Sequence, residues 1–458
     1  MNGAMQLPLS AGDQTFEAAG GCLVRRSVLP SGLRILTERV PSARSATVGF
    51  WVAVGSRDEE PPALGSTHFL EHLLFKGTGS RSALDIAVAF DEVGGEHNAA
   101  TAKEYTCYYA KVRDTDLPMA IEVLADMITS SRLDPVEFET ERGVILEELA
   151  MADDDNGDYA GERFYEAIFG EHPLARPIGG NPEAIAAVLR DAVHAHYRAH
   201  YAPHDLVVTV AGAVDHDELV AAVERHLVSG GWDLGVERAP ASRRPLAAGA
   251  WVPQARSLVV ERPSEQVNLY LGVPGLPAGD DRRSVLTVLN SVLGGSMSSR
   301  LFQQVRERRG LAYAVHSFAS SYSDAGVFGL FAACSPAKAG TVAELMLEEF
   351  RGVASGGISQ GELDRALGQL AGASALALED SDTRMSRLGR AEITLGEFLD
   401  LDEALRRLSL VTTDAVAALA EELSRGPVAL AAVGRVDDAT FEGIHTRTQP
   451  QFTAIEGE

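Results

Sequence analysis

The amino-acid sequence predicts an α+β protein built from two homologous α/β sandwich domains, a duplication carried within one chain of 458 residues. Three observations point there. The chain exceeds what a single hydrophobic core supports. Near its midpoint, residues 234–256, "LGVERAPASRRPLAAGAWVPQAR", break all periodicity with Pro, Ala, Gly and Arg and read as a linker. On either side the same patterns recur. "LVVTVAGAVDHDELV" (206–220) and "VALAAVGRVDDATFE" (428–442) each read as a buried strand, a glycine turn and an acidic helix start, with Gly212 and Gly434 lying 222 positions apart. "ATVGFWVAVGS" (46–56) and "QVNLYLGVPGLP" (266–277) are β-rich segments of matching pattern. The expected boundaries are a loose tail over 1–24, a first domain over 25–233, the linker over 234–256, a second domain over 257–446 and a C-terminal tail over 447–458.

Composition narrows the function classes. The hydrophobic content of 45% is that of an ordinary globular protein. A formal net charge of −25 repels phosphate backbones and anionic lipid, which excludes nucleic acid and membrane surfaces as expected partners and favours basic substrates. Cys22, Cys107 and Cys334 are too far apart for a disulfide framework, and Cys107, set among tyrosines, reads as packing. The first residues lack a basic stretch followed by an apolar core, and Asp13 and Glu17 argue against a transit peptide. A cytoplasmic location is expected.

Chemistry concentrates in "GSTHFLEHLLFKGTGS" (65–80), where His68, Glu71 and His72 stand at i, i+3 and i+4 and share one face of a helix that Gly65 and Ser66 start and Gly77 stops. Two imidazoles one turn apart can share a metal ion, and a neighbouring carboxylate can take a proton from water. By itself the pentapeptide is short enough to arise by accident among 12 His and 65 acidic residues. The corresponding positions of the second half, Asn290 and Gly294, hold no such set, so any metal site belongs to the first half alone. A third ligand is available from "DPVEFETERGVILEELAM" (134–151), a helix with Asp134 as N-cap, Pro135 at its first position and Glu137 three residues after the cap. Glu141 and Glu148, two turns apart, project from one face, while Glu147 is rotated towards solvent. One carboxylate can bind metal and the other can orient a ligand or substrate.

With Glu148 lying 76 positions beyond His72, the chain resembles the pitrilysin family of zinc metallopeptidases, in the branch of the mitochondrial processing peptidase and its bacterial relatives. The resemblance implies that "HFLEH" is the family's inverted H-x-x-E-H motif, that His68, His72 and Glu148 hold one Zn2+ per chain, that Glu71 is the general base and that Glu141 supports the site. It implies further that "NAATAKEYTCYYAKV" (98–112) contains the edge strand that holds extended substrate, through Asn98, Ala99 and Thr101. "SSRLFQQVRERRGLAYAVHSF" (298–318) resembles the family's Arg-x6-Tyr element, so Arg306 and Tyr313 are expected to bind the substrate backbone or the tetrahedral oxyanion. In "ADDDNGDYAGE" (152–162), Asp158 and Glu162 occupy places where processing peptidases read an arginine, although Asn156 and Gly157 weaken any helix and a solvated acidic turn is the plainer reading.

The implied activity is zinc-dependent endopeptidase cleavage of extended, unfolded or short peptides. The alternative is a weakly active or inactive peptide-binding or scaffold subunit. "LGGSMSSRLF" (293–302) has only Gly294 and Gly295 where the processing peptidase's non-catalytic partner carries a long glycine-rich loop, so the chain resembles the catalytic partner or a subunit serving both roles. Larger family members carry four such domains, which implies that two copies of this chain dimerise into a closed four-domain chamber, with a heterodimer as the other possibility. A second metal site at His196, His200 and His204 is not expected, because Pro203 ends that helix before His204 and histidines there face solvent or the helix dipole.

Overall fold

Seven strands make the first sheet of the computed structural model, which describes residues 3–245, 251, 253 and 255–444. They are β1 (Gly12–Ala18), β2 (Cys22–Val28), β3 (Arg34–Arg39), β4 (Ser45–Val52), β5 (Glu96–Thr101), β6 (Thr106–Arg113) and β7 (Leu206–Gly212). Their spatial order is β1-β2-β3-β7-β4-β6-β5, with β3 and β7 parallel and every other pair antiparallel. The interior strand β4 shows why both faces are covered. Ala46, Val48, Phe50 and Val52 enter a core shared with Phe69, Leu70 and Leu73 of helix α1 (Ser66–Leu74). Helix α2 (Pro135–Asp154) adds Phe138 and Ile145 to that core. Trp51 points the other way, into a second core with Met385 and Leu388. Period-two alternation thus serves two apolar layers rather than one apolar and one wet face.

That second layer corrects the expected domain boundaries. The unit around the first sheet consists of residues 3–150, 176–244 and 372–406, so it includes a segment from the second half of the chain. Helix Ser381–Arg390 lies against the sheet so closely that a Cβ on Gly389 would fall 2.3 Å from Trp51 Cε2, and one on Gly49 would fall 2.4 Å from Met385 Sδ. Glu392, fully buried just after this helix, accepts from Arg26 (2.8 and 3.0 Å) and Arg243 (2.9 Å), with Arg34 3.6 Å away.

The tail expected over 1–24 is structured from residue 4 onwards. Ala4–Gln6 pairs antiparallel with Glu397–Leu399, Gly12–Ala18 is an edge strand, and Met5 and Leu7 are buried. In the expected linker, residues 235–245 form neither helix nor strand yet are tied down, with Arg243 donating to Glu392 O and Arg244 to Ala53 O. Residues 246–250, 252 and 254 lie outside the described residues, as does the C-terminal tail expected over 447–458.

The second unit comprises 151–175, the described residues from 245 to 371, and 407–444. Its sheet contains β8 (Ser257–Glu261), β9 (Val267–Pro274), β10 (Ala312–Ser321), β11 (Gly326–Cys334) and β12 (Ala429–Gly434) in the order β10-β11-β9-β12-β8. The helix on one face is α3 (Asn156–Phe169), contributed by the first half of the chain, with Phe164 and Ile168 packed on Tyr270, Ala429 and Ala431. A Cβ on Gly272 would meet Phe164 Cζ at 2.5 Å, the counterpart of Gly49 in the first sheet. Each half of the duplication therefore lends one helix to the other half's sheet.

Candidate metal centre

Helix α1 begins without a side-chain cap. Gly65 is left-handed at φ +84°, and the orphan amides of the first turn are met from outside by the buried Glu59, whose carboxylate accepts from Gly65 N and Thr67 N at 2.7 Å each. Burial pushes the Glu59 carboxyl up, and these two amides oppose that shift. This residue was not singled out from sequence. The signal available was the glycine itself, because a helix that starts at Gly needs an acceptor from elsewhere.

From that fixed start, His68, Glu71 and His72 come onto one face. The imidazole rings stand 4.7 Å apart, centre to centre. Glu148 of α2 faces them, with its Oε2 3.3 Å from His72 Nε2 and 3.9 Å from His68 Nε2. One ligand atom from each of the three lies within 4.8 Å of the others. Four-coordinate zinc with bonds of about 2.0–2.1 Å separates its nitrogen and oxygen donors by about 3.3 Å, so this donor set fits a small divalent ion with little movement. Burial, then the charge of His72, pushes His68 down to about 4, which keeps its nitrogen lone pair free of protons at neutral pH.

Two further contacts order the set. The buried Glu141 sits 3.0 Å from His72 Nδ1 and 2.6 Å from Lys76 Nζ. An Nδ1–H donated to that carboxylate leaves Nε2 as the metal-facing nitrogen. Glu71 accepts from the Thr101 hydroxyl on β5. β5 is the outer strand of the sheet, so Asn98, Ala99 and Thr101 all lie along an open edge, and Thr101 touches Glu71 itself.

Residues 34–182 match the family model described as Insulinase (Peptidase family M16), and residues 187–370 match that of the Peptidase M16 inactive domain. An uncharacterized zinc protease of Streptomyces coelicolor is 47% identical over 92% of each chain. The chain belongs to peptidase family M16. The uncharacterized zinc protease YmxG of Bacillus subtilis is also similar, 38% identical over 90% of this chain and 98% of its own. Among solved structures, a protease from Helicobacter pylori superposes with a TM-score of 0.78 at 22% identity, covering 93% of this chain and all of that one, a likeness that speaks for the M16 fold. A Pseudomonas fluorescens peptidase M16 inactive domain gives 0.79 at 19%, covering 93% and 98%. No helix of the described residues is long and apolar enough to cross a membrane.

Of the remaining sequence candidates of this M16 chain, Arg306, Tyr313, Asp158 and Glu162 fall in the second unit and the histidines at 196 and 200 in the first. Arg306 lies in a short π-helical segment, Phe302–Glu307, with its guanidinium 4.5 Å from the centre of the Tyr313 ring and 4.8 Å from that of Phe302. Tyr313 is exposed on β10, an edge strand. Asp158 and Glu162 sit one turn apart in α3, so the acidic turn expected there is helical. Asp155 supplies the N-cap, accepting from Gly157 N at 2.7 Å and Asp158 N at 3.2 Å, which outweighs the weak propensity of Asn156 and Gly157. Histidines 196 and 200 end the helix Arg190–His200, as Pro203 suggested, but His196 is buried rather than solvent-facing, 3.2 Å from Thr67 Oγ1.

Proposed function

We propose that the chain is a zinc-dependent endopeptidase acting on extended, unfolded or short peptides, with His68, His72 and Glu148 as its metal ligands. The observation that carries this reading is the donor set: two imidazoles and a carboxylate within 4.8 Å, with Glu71 projecting from the same helix. A zinc ion bound there supplies Lewis acidity, acidifying water and polarising a peptide carbonyl. Glu71 serves as general base, taking a proton from the attacking water and delivering it to the leaving amine. Glu141 holds His72 in the ligating tautomer. The open edge of β5, with Thr101 against Glu71, supports docking of a peptide as an added strand.

Around that centre the family branch suggests finer roles: processing-peptidase-like specificity with Asp158 and Glu162 reading a basic residue, and a homodimeric or heterodimeric chamber to which Arg306 and Tyr313 contribute. The free, buried Cys22, Cys107 and Cys334 support a reducing, cytoplasmic setting. The inactive-scaffold reading draws on the inactive-domain match, but that match covers 187–370, the part that lacks His68, Glu71, His72 and Glu148.

The deciding experiment profiles a mixed peptide library by mass spectrometry and assays metal content in wild type, Glu71→Gln and His68→Ala. Wild type should cleave and hold zinc, Glu71→Gln should hold zinc without cleaving, and His68→Ala should lose both. Metal loss in Glu71→Gln equal to that in His68→Ala would make Glu71 a ligand instead of a base. Zinc without any cleavage in wild type would favour the binding subunit.

A further inference from the structure

Glu141 has a counterpart in the second half of the chain. Glu362 lies 221 positions further on, in helix Gln360–Ala377, and Gln369 stands the same distance beyond Glu148. Here the carboxylate orders no imidazole. Glu362 accepts from Arg300 Nε (2.7 Å) and Nη2 (3.1 Å) and from Ser359 N (2.8 Å) and Oγ (2.9 Å), and the Arg300 contact, the largest of these influences, pulls its carboxyl down to about 2. Beside this ion pair lies a recess of about 10 Å³, lined by Ser291 at the end of helix Arg283–Leu293, by Ser296, Ser298 and Ser299 of the loop that follows, and by Glu362 and Arg365. All of these residues belong to the second unit, apart from the metal centre.

Size and protons together select the ligand. A space of about 10–15 Å³ is the least that holds one water-sized species, so a phosphate or any organic group is too large. Ser299 is 2% exposed, and its buried Oγ meets no partner among the described residues. The Ser296 and Ser298 hydroxyls stand 3.2 Å apart, so one proton of the pair joins them and the other is left to donate. Ser291 is already committed, donating to Gln369 Oε1 at 3.2 Å. Arg365 is exposed and makes no ion pair among the described residues, so it can turn to an ion without breaking one. We propose that this recess is a halide site, holding one chloride ion between the Ser299 hydroxyl, the Ser296–Ser298 pair and the Arg365 guanidinium. Two guanidiniums against one carboxylate leave the surroundings positive, which disfavours a cation of the same size. Chloride is larger than water, and the exposed Arg365 side chain is the wall that can give way. The bound ion ties the serine loop to helix Gln360–Ala377.

The test soaks crystals of the full-length chain in bromide and locates the ion by its anomalous scattering, and in solution it compares amide hydrogen exchange across the serine loop in chloride and in gluconate at equal ionic strength. Gluconate is too large for the recess and serves as the control for general salt effects. An anomalous peak beside Ser299 Oγ and Arg365 is expected, with loop exchange slowed about 2- to 10-fold by chloride, the range of one net hydrogen bond. Ser299→Ala and Arg365→Gln should each abolish the peak and the chloride effect while exchanging like wild type in gluconate, which separates loss of the ion from loss of the fold. Equal exchange in the two salts with no peak at the recess would make the occupant a water molecule and overturn the proposal. A peak or a chloride effect that survives in both variants would place the ion on other groups and overturn it as well.

Discussion

Glu141 shows how much one buried carboxylate decides. It is 2% exposed, bound to His72 Nδ1 on one side and Lys76 Nζ on the other, and so fixes which imidazole nitrogen is offered to a metal. Glu141→Gln keeps the shape but gives up a charged acceptor. Outer partners of this kind are typically worth 10- to 100-fold in metal affinity, so chelator competition should show a loss of about that size while His68 and Glu148 remain in place. A second residue-scale expectation concerns His196, which burial and then the charge of His200 push down to about 4. Unfolding returns it to about 6.5, so between those pH values the unfolded chain binds a proton that the native chain does not. Stability is therefore greatest above pH 6.5 and falls as pH drops towards 4, by up to about 1.4 kcal/mol per pH unit from this group. Urea midpoints measured across that window should show a shallower slope in His196→Gln, and an equal slope would mean that His196 is already protonated in the native state. Sequence spacing was enough to place Glu141 and Glu148 on one face of α2, because helical periodicity is local. It was silent on Glu59 and His196, whose contacts with α1 span 6 to 129 positions and follow no period.

Among the elements, the two lent helices carry the main lesson. Both strands at the 222-position offset could be matched by their pattern, and both sheets contain them as neighbours, β4 beside β7 and β9 beside β12. What the pattern did not contain was the partner of each amphipathic helix. The apolar face of α3, with Phe164 and Ile168, fits any apolar sheet face, and local periodicity says nothing about which sheet receives it. The glycines Gly49, Gly272 and Gly389 were the available clue: a Gly within a strand or helix marks close backbone approach. Gly389→Ala should accordingly destabilise the fold by about 1–3 kcal/mol, because its Cβ would lie inside contact distance of the Trp51 ring. Gly368→Ala is the matched control. It sits in helix Gln360–Ala377 with nothing within 4 Å of the added carbon, and there the substitution should stabilise by about 0.4–1 kcal/mol. Chemical denaturation of both variants checks the pair, and destabilisation by both would mean that helix propensity is not what the control measures.

At the scale of the whole molecule, the functional groups are divided between the two units. The proposed metal ligands and Glu71 belong to the first unit and Arg306 and Tyr313 to the second, where the guanidinium is stacked on an exposed aromatic ring at an edge strand. The proposed dimer would give these two residues a function, because in a twofold assembly of two two-domain chains Arg306 and Tyr313 of one copy would serve the metal centre of the other. The prediction is complementation. Glu71→Gln lacks the base, and Arg306→Ala with Tyr313→Phe lacks the backbone or oxyanion contacts, so each homodimer should be inactive or severely impaired. In a mixed dimer, service across the interface places both defects at one centre and leaves the other intact. Mixing the two proteins under conditions of demonstrated subunit exchange should then recover about half the wild-type activity per mixed dimer. If Arg306 and Tyr313 act within their own chain, each centre of the mixed dimer retains one defect and exchange recovers nothing, which would return the second unit to a role in its own copy or in a heterodimer with a related subunit.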